Sequence, residues 1–209
     1  RQRQMCIRDR DIISYEVISL DYGKYKDARN ASWQCILDFN INKLPVMVTD
    51  IIKKSESIRL FKESDVHMLE NSESGKTILH NGFFEIVYRD TEPSYRCRFT
   101  ISHELGHIFL GHLLINTPVY RTFAVRDDLE SSANVFARDL LAPACVLHEL
   151  HATTAEEIAK ICNISMQAAK NRAERMQVLE ARNKYYLHPL ERQVRQQFEQ
   201  FIEEYRSKM

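Results

Sequence analysis

Apolar residues return at helical spacing over most of this chain, and one stretch switches to short strand-like runs. Between Lys26 and Asn40, the residues Ala28, Trp33, Ile36 and Leu37 mark one face and predict an amphipathic helix. Ahead of it, Asp11–Leu20 is too short and mixed to assign, and Asp21-Tyr22-Gly23 is turn-like. Leu44-Pro45 is expected to open a second short helix, with Val46, Val48, Ile51 and Ile52 as its apolar side, because proline suits a first helical turn. Ser57-Ile-Arg-Leu-Phe61 predicts a strand. Polar residues 62–76 predict loop. Thr77–His80 and Phe83–Arg89 flank Asn81-Gly82, the favoured pair for a type I′ turn, and predict a hairpin.

A longer helix is predicted from Ser94, or slightly later, to about Leu114. Phe99, Ile101, Ile108, Phe109, Leu110, Leu113 and Leu114 make it apolar over much of its surface, so it is expected to be buried. Asn116–Arg126 reads as a connector. Asp127-Asp128 would then cap a helix over Leu129–Leu141, which Ala142-Pro143 ends. A short helix follows near Val146–His151. Thr153 or Thr154 caps the next, and residues 154–178 read as helix, turn at Asn163, helix. Pro189–Lys208 predicts one more amphipathic helix, with Leu190, Val194, Phe198, Phe201 and Ile202 on one stripe. The expected class is α+β: a mainly helical core over residues 11–150 with a small antiparallel sheet, then a helical C-terminal region over 151–209 with its helix-turn-helix-like segment.

Composition narrows the setting. Apolar residues make up 44% of the 209, charged residues 28%, and the formal net charge is zero. That balance argues against bulk nucleic-acid binding, so direct DNA contact is not expected. The five cysteines are far apart and none forms a C-x-x-C pair, which points to free thiols in a reducing, cytoplasmic setting. No apolar run approaches the length of a membrane span, and the start of the chain lacks an apolar signal core. Residues 1–10, Cys6 among them, resemble translated sequencing-adaptor read-through. They are expected to be a non-native tail that replaces the true N-terminus.

The chemistry concentrates in Arg98–His112, whose centre reads H-E-x-x-H. Positions i and i+4 share one helix face, so His103 and His107 point the same way and can share one metal ion, with Glu104 beside the open position as a general base. The alternative is a pair of core histidines with ordinary hydrogen bonds. Gly106 within this helix would cost about 1 kcal/mol relative to alanine, so another backbone or a substrate is expected to approach it closely. Ser74-Gly-Lys-Thr77 matches the end of a phosphate-binding loop. That motif needs a glycine at position 70, which is glutamate, so a plain turn is expected. The hairpin has a functional option, because sheet edges in many metallopeptidases take substrate as an added strand. The other option is a sheet that only packs under the helices.

Catalytic zinc usually has three protein ligands and a water. A third histidine at position 113 with glycine at 110 is excluded, since both are leucine. His112 would turn away from the ligand face of a continuing helix, unless the helix breaks at Gly111. Glu130, with Asn134 one turn on, fits better: Glu130 would ligate and Asn134 would brace a histidine. The alternative for Glu130 is a capping box with Asp127. Asp139 is expected at the surface or behind the site. Tyr95, Arg98 and His112 are candidates for stabilising an oxyanion or touching substrate.

The run R-F-T-I-S-H-E-L-G-H-I-F-L-G-H followed by E-S-S-A-N-V-F-A-R-D-L-L-A-P resembles the ImmA/IrrE family of metallo-endopeptidases, over roughly residues 25–180. The resemblance implies a zincin-like (gluzincin-type) peptidase domain over residues 11–150. It implies one zinc ion (Zn2+) per chain on His103, His107 and Glu130, with Glu104 as catalytic base. It also implies a helix-turn-helix transcriptional repressor as protein substrate, within stress-response or mobile-element regulation. Ala142 departs from the methionine often found there, with no bearing on catalysis. The competing reading is a non-catalytic module that binds a repressor or DNA through residues 154–178 (Lys160, Lys170, Arg172, Arg175) around a structural metal. The mixed charge of that segment disfavours DNA.

Overall fold

The chain's apolar stripes meet in one buried cluster running from Trp33 to Ile202. The computed structural model describes residues 25–114 and 123–208; Asp11–Leu20, the turn at Asp21, the first ten residues and most of the expected connector lie outside the described residues. Helix α1 (Lys26–Asp38) buries Ala28, Trp33 and Ile36 as its spacing predicts. The next helix differs from expectation. Leu44, Val46 and Val48 are all buried, a spacing of two that belongs to extended chain. Helix α2 (Val48–Lys54) therefore begins after Pro45, with Met47 extended at its N-cap.

Strand β1 (Ile58–Lys62) is followed by a single helical turn, α3 (Glu63–Val66), inside the stretch expected to be loop. The hairpin forms as predicted: β2 (Gly75–His80) and β3 (Phe83–Tyr88) pair antiparallel around Asn81-Gly82. The sheet as a whole is mixed, because β1 pairs with β3 in parallel, and its order is β1-β3-β2. Strand β2 begins at Gly75 and leads into a hairpin, not a helix, so Ser74–Thr77 is no phosphate-binding loop.

Helix α4 (Ser94–Phe109) carries the H-E-x-x-H motif. It stops five residues short of Leu114. Gly111 takes a left-handed φ of 71°, open to glycine without strain, and His112–Leu114 form a 3-10 turn. Helix α5 (Phe123–Leu141) starts ahead of Asp127, so Asp127 and Glu130 are not a capping box. Helix α6 (Ala144–Glu149) precedes α7 (Ala155–Cys162), which opens with a capping box between Thr154 and Glu157. Asn163, left-handed, turns the chain into α8 (Met166–Arg182). The tail is two helices, α9 (Pro189–Gln197) and α10 (Glu199–Arg206), meeting at Phe198. Val194, Phe198 and Ile202 are all buried, so the expected stripe survives the break. At that junction Gln197 Nε2 donates to the carbonyls of Ile36 and Ile41, tying the tail to α1. The buried cluster thus draws residues from both sides of position 150.

Two contacts hold the helices that carry the motif. Gly106 on α4 lies against Ala133 on α5, where a Cβ would stand 3.1 Å from both Cα and O of Ala133. Asp139 on α5 is buried and accepts from Arg172 on α8 at 2.8 Å and from Arg138 at 2.9 Å. This corrects the surface or near-site placement expected for Asp139. Burial pushes its carboxyl up, but the two guanidiniums outweigh that and bring it down to about 2.

Candidate metal centre

Helices α4 and α5 pack along their length, and their facing sides bring three side chains to one point. His103 Nε2 lies 3.0 Å from His107 Nε2 and 3.2 Å from Glu130 Oε2; His107 Nε2 lies 3.7 Å from Glu130 Oε1. Donor atoms about 2.0–2.1 Å from one tetrahedral ion stand about 3.3 Å apart. Two imidazole nitrogens and a carboxylate oxygen at these separations are a donor set suited to zinc, and the three residues form a candidate metal-binding group.

The far nitrogens of both rings are also held. His103 Nδ1 is 2.9 Å from Asn134 Oδ1, an acceptor, so Nδ1 carries the proton and Nε2 is free to bind metal. His107 Nδ1 is 2.9 Å from His112 Nδ1, and His112 Nε2 is 3.3 Å from Ser132 Oγ, which donates to the carbonyl of Leu129 at 2.8 Å. The chain runs in one direction: His107 donates to His112, which donates to Ser132. Burial, then the neighbouring His103, brings the His107 imidazole down to about 4, and burial lowers that of His112. Both favour the neutral rings that metal binding and this relay require.

Glu104 is buried beside His103. Burial pushes its carboxyl up, while a hydrogen bond from Thr77 and the adjacent His103 pull it down. Thr77 Oγ1 donates to Glu104 Oε2 at 2.6 Å. A cleft of about 990 Å3 opens here, lined by Gly75 and Thr77 of β2, by His103, Glu104 and His107, and by Glu130. Strand β2 is the sheet edge beside this cleft. Arg89 N donates to Ser74 O across the hairpin. By antiparallel alternation, the main-chain N–H and C=O groups of Gly75, Thr77 and Leu79 turn to the free edge.

The structure thus brings together His103, His107, Glu130, Glu104, Asn134 and His112. It separates two other candidates from them. Arg98 is committed to packing: its guanidinium donates to the carbonyls of Val46, Cys162 and Asn163 at 2.8, 3.2 and 2.6 Å and pins α4 to the turn before α8. Tyr95 lines a different cleft, with Ile164 and Ser165. His112 lines the cleft beside His107, with its two ring nitrogens engaged by His107 and Ser132. Thr77 escaped the sequence reading. Its signal was Gly75 two positions before it on the same strand face, a glycine marking close approach to α4.

A helical layer with a small sheet edge over a His-His-Glu centre is the arrangement of a metallopeptidase. Residues 56–174 match the peptidase M78 family, described as the IrrE N-terminal-like domain, and the chain belongs to that family. The matched segment runs from just before β1 into α8 and contains the whole centre. The comparison with curated proteins finds no match. Among the described residues no helix is long and apolar enough to cross a membrane.

Proposed function

We propose that this metallopeptidase is a zinc-dependent endopeptidase of the H-E-x-x-H type, acting on a protein substrate. The observation that carries the reading is the convergence of His103, His107 and Glu130 at 3.0–3.7 Å beside the buried Glu104. His103, His107 and Glu130 would hold the ion, and Asn134 and His112 would fix the two rings. A bound zinc lowers the pKa of a water towards about 7 and polarises the scissile carbonyl. Glu104 takes a proton from the attacking water and delivers it to the leaving amine. Its burial favours this, since a raised carboxyl pKa brings it closer to the working pH. The free edge of β2 supplies backbone donors and acceptors for an extended substrate segment across the cleft.

The substrate we infer is a helix-turn-helix repressor, as the resemblance of the two sequence motifs implies, and the free cysteines Cys35, Cys97, Cys145 and Cys162 suit a cytoplasmic setting. The competing DNA-binding module is weakened at residues 154–178, where Arg172 is buried against Asp139 and cannot reach phosphate. The test pairs metal analysis with cleavage assays on any helix-turn-helix repressor encoded beside this gene. Glu104→Gln should keep one zinc per chain and lose cleavage. Glu130→Ala should lose zinc affinity. Wild-type cleavage by Glu104→Gln, or unchanged affinity in Glu130→Ala, contradicts the proposal.

A further inference from the structure

We infer that Thr77 is a positioning residue for the catalytic base, and that it couples substrate pairing on the β2 edge to the orientation of Glu104. The inference rests on the peptidase reading above. Among the described residues, Thr77 is the hydrogen-bond partner of the Glu104 carboxylate, through Oε2 at 2.6 Å. One oxygen is thereby fixed, and Oε1 is left as the acceptor for the proton of the attacking water.

Gly75 makes this contact possible. Gly75 and Thr77 share one face of β2, and that face lies on α4. A Cβ at Gly75 would stand 2.3 Å from Thr100 Cγ2 and 3.5 Å from Glu104 Oε1. Without glycine there, the strand could not approach closely enough for the Thr77 hydroxyl to reach the carboxylate. The Ser-Gly-Lys-Thr sequence thus serves the metal centre and not a phosphate. Thr77 also turns its main-chain N–H and C=O to the free edge, where an added strand would bind. An extended substrate segment paired there fixes the Thr77 backbone, and the Thr77 side chain in turn fixes the base.

The test uses Thr77→Val, which keeps the shape and removes the hydroxyl, and Thr77→Ser, which keeps the hydroxyl. Two readouts are taken on the full chain: the Glu104 carboxylate position in crystals of the metal-free variants, and kcat and KM of the zinc-loaded variants on an internally quenched peptide library. A hydrogen bond to a charged group corresponds to a factor of roughly 10 to 100. Thr77→Val should displace the carboxylate and lower kcat by that factor, with KM and zinc content unchanged. Thr77→Ser should restore both. Wild-type kcat in Thr77→Val overturns the inference, as does Thr77→Ser being as impaired as Thr77→Val. Glu104→Gln, run alongside, separates the failures. If it stays active, the reading of Glu104 as catalytic base falls and takes this inference with it; if it is dead while Thr77→Val is fully active, the inference alone falls.

Discussion

Replacing Gly106 with alanine sets two effects of known size against each other. Alanine in a helix interior gains about 1 kcal/mol over glycine. Here its Cβ would lie 3.1 Å from Cα and O of Ala133 and 3.3 Å from Cβ of Phe136. Two of these are main-chain atoms, which cannot swing aside, so α4 and α5 must part by a few tenths of an ångström. Overpacking of this kind costs about 1–3 kcal/mol. The net expectation is a loss of about 1 kcal/mol in the metal-free protein, read by urea denaturation. The separation has a second consequence, because His103 and His107 lie on one side of this contact and Glu130 on the other. Donor positions tolerate only about 0.2 Å of error. Zinc affinity, measured by chelator competition, should fall tenfold or more. A Gly106→Ala variant that is more stable by about 1 kcal/mol and binds zinc as tightly as wild type would refute the reasoning.

Three further outcomes follow from the geometry. Asn134→Ala should weaken zinc binding by roughly 10- to 100-fold while leaving the fold intact, as read by chelator competition and circular dichroism. Arg172→Met leaves the buried Asp139 with Arg138 as its remaining partner and should destabilise the protein by up to about 3–5 kcal/mol, measured by urea denaturation; replacing both residues with apolar ones should cost less. Because the folded Asp139 carboxyl lies near 2 and its ordinary value is 3.8, its contribution is fully present above about pH 4 and is lost as pH falls through about 2. An acid unfolding profile should show that loss in wild type and not in Asp139→Asn.

What the sequence made legible was local. The i, i+4 histidines, the Asn81-Gly82 hairpin and the helix cap at Thr153 or Thr154 each depend on residues within a few positions, and spacing alone reveals them. Glu130 was reachable because a zinc site needs a third donor, so the chemistry reached across 23 positions where periodicity could not. What stayed hidden depends on distant partners. Arg98 looked like a site residue because it adjoins the motif, yet its partners are Val46, Cys162 and Asn163. Asp139 looked superficial until Arg172, 33 positions on, buried it. Thr77 lay where an expected turn meets a predicted strand, and nothing short of the fold places it on Glu104. The parallel pairing of β1 with β3 was equally invisible, since a five-residue strand carries no mark of its partner's direction.

The most direct test is anomalous X-ray diffraction at the zinc edge from crystals of the zinc-loaded protein. The account predicts one strong peak per chain, about 2.0–2.2 Å from His103 Nε2, His107 Nε2 and a Glu130 carboxylate oxygen. A peak held by other residues, or none between α4 and α5, would contradict it.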